Sequence, residues 1–82
     1  MRYTVAWLPS AQTTLARLWM QAPTPQAVTE ASNRIDALLL NDPETRGTAF
    51  GKFFVHDSQP LSVLYEVDPG DCMVRVIAVK RI

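Results

Sequence analysis

Apolar and polar residues alternate along Arg2-Tyr3-Thr4-Val5-Ala6-Trp7, a run rich in β-branched and aromatic side chains, and this pattern predicts a strand. Pro9 ends it, and Ser10 is placed to cap a helix, because its hydroxyl can accept from an orphan amide of a first helical turn. Ala11, Leu15, Leu18, Trp19 and Ala22 then recur at helical spacing, an amphipathic helix of about three turns. Ala22-Pro23-Thr24-Pro25 breaks that helix and starts another, with Thr24 as cap and Pro25 at the first helical position. Val28, Ala31, Ile35, Leu38 and Leu39 keep the same period, while Glu30 and Arg34 fall on the outer face at a favourable i, i+4 spacing. Asn41-Asp42-Pro43 stops the second helix. The short connection between the two makes them an αα-hairpin.

A polar loop around Gly47 leads into strands expected over 50–56, 61–67 and 73–80, joined by Asp57-Ser58-Gln59-Pro60 and by a turn through Pro69-Gly70. The order is β-α-α-β-β-β. Three consecutive strands with short links form an antiparallel meander, and the apolar helix faces must cover one side of it. The expected architecture is α+β: a two-helix hairpin on one face of a mostly antiparallel four-stranded sheet, with residues 1–82 as a single domain.

Pairing arithmetic assigns the faces. An even loop at Pro69-Gly70 sets Val67 opposite Cys72, Tyr65 opposite Val74, Val63 opposite Val76 and Leu61 opposite Ala78, an apolar face at every position. The other face then carries Ser62, Leu64, Glu66, Met73, Arg75, Ile77, Val79 and Arg81, with Lys80 at the end of the packed one. The strand before this hairpin has two solutions. If Val55 meets Leu61, Phe53 and Val55 enter the core and Lys52, Phe54 and His56 join the open face; if His56 meets Leu61, the sides exchange.

Composition narrows the classes. In 82 residues, 48% are hydrophobic and 20% charged, ordinary for a globular domain. Eight basic residues balance eight acidic ones, so the basic excess that advertises a nucleic-acid binder is missing. No apolar run approaches the roughly 20 residues of a membrane span. MRYTVAWLPSAQ has no leader-like h-region, and the one cysteine, Cys72, has no cysteine to pair with internally. These features lead us to expect a cytoplasmic protein without metal or cofactor.

The pattern resembles the RelE/ParE superfamily of type II toxin–antitoxin toxins. The likeness rests on the element order, on Tyr3-Thr4-Val5 with Pro9-Ser10-Ala11, on Leu15-Ala16-Arg17-Leu18-Trp19, and on Ile35-Asp36-Ala37-Leu38-Leu39 before Asn41-Asp42-Pro43. The closing hairpin, Val63 to Asp68 and Val74 to Val79, is its most telling part. The resemblance implies a growth-inhibiting cytoplasmic toxin neutralised by a cognate antitoxin, hence a hetero-oligomer, whose segment lies in grooves across helices and sheet. RelE-like members cut mRNA on the ribosome with basic and aromatic residues of the open sheet face; ParE-like members lack these and poison DNA gyrase. Here Lys52 is the one candidate for the lysines of the first meander strand, and Ser62 stands where cleaving members carry arginine. Lys80 or Arg81 could supply the basic residue after the last strand, and the sequence given ends at Ile82, before the Tyr or His tail such members often add. The expectation leans towards ParE-like action, with a RelE-like endoribonuclease or a non-toxic partner-binding protein of the same fold as alternatives.

Metal-free RNA cleavage needs a base for the 2′-hydroxyl, a cation for the phosphorane and an acid for the leaving oxygen. The candidate catalytic set is Lys52, His56, Arg75, Lys80 and Arg81, with His56 the group able to move protons near neutral pH. Each also has a plainer reading: His56 and Lys52 as solvated residues, Arg75 paired with Glu66, and Lys80 and Arg81 as a frayed strand end. Trp7 and Trp19 read as core or as interface anchors. Trp19, Leu64, Met73 and Ile77 are the candidate partner-binding residues.

Overall fold

The computed structural model describes residues 2–82; Met1, which begins the amino-terminal stretch read as lacking a leader, lies outside them. The elements are β1 (Thr4–Trp7), α1 (Pro9–Gln21), α2 (Pro25–Leu39), a 3-10 turn (Pro43–Thr45), β2 (Thr48–Phe50), β3 (Phe53–Ser58), β4 (Leu61–Asp68) and β5 (Met73–Arg81). They form one mixed five-stranded sheet in the order β1-β5-β4-β3-β2, in which β1 runs parallel to β5 and the other pairs are antiparallel. The α+β class and the two-helix layer are as expected. The strand count is five rather than four because the region read as one strand over 50–56 is a hairpin. Gly51 turns it at φ +62°, the left-handed conformation that a primed two-residue turn needs and glycine adopts without strain, and Phe50 pairs with Phe53 across it.

The first helix starts differently from the reading of its cap, and the second starts as read. Leu8, not Ser10, is the N-cap of α1, and Pro9 takes the first helical position, where its missing N–H is no loss. Thr24 caps α2 with Pro25 after it, although its side chain makes no capping bond. Arg34 turns away from Glu30: its Nε donates to Ser58 Oγ at 3.2 Å and its Nη2 to the Gln59 carbonyl at 2.8 Å, tying α2 to the β3–β4 turn.

The core lies between helices and sheet. Ala11 from α1, and Val28, Ala31, Ile35 and Leu39 from α2, close over Leu61, Val63, Tyr65, Val74, Val76 and Val79. Tyr65 anchors it. Its ring is fully buried and stacks on Phe54 with centroids 5.6 Å apart, and its hydroxyl donates to the Pro43 carbonyl at 2.7 Å. Gly47 makes room for that hydroxyl, since a Cβ there would lie 2.6 Å from Tyr65 Oη and 2.7 Å from the Val55 carbonyl oxygen. Trp7 belongs to the same layer and donates from Nε1 to Asp36 Oδ1 at 2.6 Å.

Candidate functional site on the open sheet face

The helices leave one face of the sheet uncovered, and register decides which side chains stand on it. In β3 the pairs are Phe54–Tyr65, Val55–Leu64, His56–Val63, Asp57–Ser62 and Ser58–Leu61. The second of the two facings holds: Phe54 and His56 are on the helix side, Val55 and Asp57 on the open side.

The β4–β5 hairpin departs from the expected register in two ways. Its loop is Pro69 to Cys72, so that Asp68 meets Met73, Val67 meets Val74 and Tyr65 meets Val76. The next pair is Leu64–Ala78, which leaves Ile77 as the extra residue of a β-bulge. Beyond the bulge the strand changes phase. Val79 pairs with Val63 and is buried in the core, whereas it was expected on the open face. Lys80 pairs with Ser62 on the open side, and Arg81 pairs with Leu61 on the helix side. The expected positions of Lys80 and Arg81 are therefore exchanged. The physical reason is that Val76-Ile77-Ala78-Val79 is apolar throughout and fits either phase, so the better core filler, Val79, turns inward.

The candidate catalytic residues are consequently scattered. His56 points to the helix side, where Nδ1 lies 2.8 Å from the Arg46 carbonyl. A carbonyl only accepts, so Nδ1 carries the proton there. Lys52 sits at the exposed tip of the β2–β3 turn, with Nζ 5.3 Å from the centroid of the Phe53 ring. Arg75 stands on the open face and lies 3.5 Å from Glu66 and 3.5 Å from Asp68; these are the ion pairs found among the described residues. The expected Arg75–Glu66 pair exists, directly across the ladder, with Asp68 as a second carboxylate. Lys80 is the one candidate cation that stands on the open face outside that cluster.

Around Lys80 the open face forms a groove of about 470 Å³, floored by Val55, Leu64 and Ala78 and rimmed by Phe50 and Ile82. Phe50 is 67% exposed and Ile82 49%, a large apolar surface for so small a protein. Across its floor runs a row in register, Asp57 on β3, Ser62 on β4 and Lys80 on β5. Ser62 is only 5% exposed, and it lies between the two charges. Asp57 was missed as a member of this site, because its facing depends on the β3 register. Ser62 was expected on the open face, where it is, but not beside Lys80, whose position depends on the bulge, and neither register nor bulge shows in the hydrophobic pattern.

The partner-binding candidates are divided too. Leu64, Met73 and Ile77 are half-buried strand residues, Leu64 being part of the groove. Trp19 lies on the opposite side of the molecule, 46% exposed in a shallow apolar groove between α1 and α2 with Leu15, Ala16 and Val28, its Nε1 donating to Thr29 Oγ1 at 3.1 Å. No group of three or more metal-ligating side chains occurs among the described residues, and no helix is long and apolar enough to cross a membrane.

No protein-family model and no curated protein matches the sequence. Its fold, by contrast, is matched over its whole length. The RelBE2 toxin–antitoxin complex of Mycobacterium tuberculosis contains a chain that superposes with a TM-score of 0.84 at 19% identity, covering 100% of this chain and 93% of that one. The archaeal RelE–RelB complex of Pyrococcus horikoshii gives 0.74 at 18% identity, covering 99% and 96%. The chromosomal ParDE system of Pseudomonas aeruginosa gives 0.70 at 12% identity, covering 99% and 97%. The chain has the fold shared by RelE and ParE toxins.

Proposed function

We propose that this protein is the toxin of a type II toxin–antitoxin pair, that it arrests growth without cutting RNA, and that its target is DNA gyrase. The toxin reading is supported by the full-length likeness to chains from RelBE and ParDE systems, whose structures also suggest an antitoxin as the natural partner. The choice of action rests on one observation: the candidate cleavage residues do not converge. Phosphodiester cleavage needs proton transfer and charge stabilisation at a single phosphate. Here His56 is on the helix side, Arg81 faces away from the groove, Lys52 is at a turn tip, and Arg75 is occupied by Glu66 and Asp68. Lys80 is left to act alone, and the Asp57 carboxylate at the other end of its row disfavours a phosphate there.

The RelE-like alternative draws on the same Lys80, which the bulge delivers to the face that cleaving relatives use. Tightly induced expression in a bacterial host separates the two, following growth, ribosome-associated mRNA ends and gyrase-linked DNA breaks. Arrest with DNA breaks and intact mRNA is the expected result. Arrest with new mRNA ends that disappear in Lys80→Ala would overturn it. Undisturbed growth with folded, abundant protein would leave a partner-binding protein of this fold.

A further inference from the structure

We propose that the open sheet face is an interface with a second copy of this chain, formed by pairing Asp57 of each copy with Lys80 of the other. The inference does not depend on what the toxin acts upon. It starts from three properties of the face. The face is apolar where a core would be, with Val55, Leu64 and Ala78 along its floor and Phe50 largely exposed beside them. It also carries an acid and a base on the two flanks of one row, Asp57 and Lys80, with the buried Ser62 between them. Finally, the remaining charges of β4 on this side, Glu66 and Asp68, are both held by Arg75, which leaves that end of the strand with one net negative charge.

Two strand spacings separate Asp57 from Lys80, about 10 Å. Too wide for a direct ion pair between backbone positions in the same row, that spacing is well suited to meeting its own image. A two-fold axis parallel to β4, midway between two facing sheets, brings β3 of one copy over β5 of the other. Asp57 then faces Lys80 twice, Val55 faces Ala78, and Leu64 meets Leu64 on the axis. An axis perpendicular to the strands through this row would stack Asp57 on Asp57 and Lys80 on Lys80. This row therefore selects the first arrangement, against the weaker repulsion of the two Arg75-bridged carboxylate clusters that it brings together. Facing sheets pack about 10 Å apart with strands within roughly 30° of parallel, the geometry this axis produces. A standard interface takes about 800 Å² from each partner, roughly a sixth of this chain's 4990 Å² surface, and the uncovered face is the broad one available.

The symmetry makes the test self-checking. Sedimentation equilibrium on the wild-type chain across micromolar concentrations is expected to show a monomer–dimer equilibrium. Asp57→Lys and Lys80→Asp each replace two attractions by two repulsions, and each alone is expected to weaken dimerisation roughly tenfold or more. Mixing these two variants restores opposite charges at both contacts, so the mixture is expected to dimerise while neither component does. The double variant Asp57→Lys with Lys80→Asp is expected to recover the wild-type affinity. Circular dichroism verifies each fold; Asp57→Asn and Lys80→Gln, milder at the same positions, replace any reversed variant that unfolds and are expected to weaken dimerisation, with mixing of the two recovering one of the two ion pairs and so part of the affinity. A wild-type chain that stays monomeric throughout overturns the proposal and leaves the face to a different partner. So does a dimer indifferent to both reversals, or a mixture of folded reversed variants that fails to associate.

Discussion

The two faces of the β3–β4–β5 sheet are made of the same three strands, yet they obey different rules. On the helix side Leu61, Val63, Tyr65, Val74, Val76 and Val79 are all buried, and an error of one residue in register would place a charge or a serine among them. On the open side apolar residues share the surface with Asp57, Glu66, Asp68, Arg75 and Lys80, and most are half-exposed or exposed. The helix side therefore holds the fold and dictates the register. The open side inherits whatever arrangement that register leaves, including a phase change at Ile77 that exists to bury Val79. A functional surface made this way is specified indirectly, through the packing of its reverse.

That difference is broken most forcefully by truncating one residue on each face. Ile35 of α2 is fully buried in the helix–sheet core, and Ile35→Ala is expected to cost about 2–5 kcal/mol through lost burial and the cavity left behind. For a domain this small that approaches the whole stability. Leu64→Ala on the open face, half-exposed, is expected to cost about 1 kcal/mol in dilute solution. Urea denaturation of both variants reads the contrast. Similar losses would mean that the open face is as much a part of the core as the helix side.

The middle effect concerns Tyr65, where the helix side holds a polar group. Burial pushes its hydroxyl up to about 12 from an ordinary value of 10.0, because ionisation would place a charge in the core and discard the bond to Pro43. A folded-state value above the unfolded one contributes stability that is complete below the unfolded value and is lost as pH rises through the folded one. Unfolding free energy is therefore expected to fall between about pH 10 and pH 12 through this residue. Tyr65→Phe is expected to cost about 1–2 kcal/mol at neutral pH, since the buried Pro43 carbonyl loses its donor, and to flatten that alkaline loss. A pH series of thermal melts on both proteins checks it; an unchanged alkaline slope in the variant would assign the loss to other groups.

Much of the helix side was legible in the sequence, and the reason is physical. Val28, Ala31, Ile35 and Leu39 recur at 3.6 residues, and Leu61, Val63 and Tyr65 at 2, so both periods point to one core and to the α+β class. The open face was not legible to the same degree. Phe50, Phe53 and Phe54 place aromatics on both sides of their segment, which hid the Gly51 turn, the fifth strand and the facing of His56. The four apolar residues Val76 to Val79 hid the bulge and so exchanged Lys80 with Arg81. What could be read correctly there was the charge pair of Arg75 with Glu66, because both residues lie on the turn side of the bulge, where side-chain parity still holds.

That pair supplies the smallest expected effect. Arg75 lies 3.5 Å from both Glu66 and Asp68, and its side chain is 31% exposed, so solvent screens what the contacts gain. Replacing it by a chain of similar length and no charge, Arg75→Met, is expected to change unfolding free energy by less than about 1 kcal/mol at moderate salt. The sign of the salt response is more informative. In the wild type, added salt weakens the attraction between Arg75 and its two carboxylates; in the variant the two carboxylates repel each other, and added salt relieves that repulsion. Thermal melts at low and high salt are thus expected to converge, with the wild type losing stability and the variant gaining it. Were Arg75 instead held ready for a phosphate, its removal would leave stability untouched and weaken binding of a short RNA; parallel salt responses for the two proteins, together with such a loss, would return Arg75 to the candidate cleavage site.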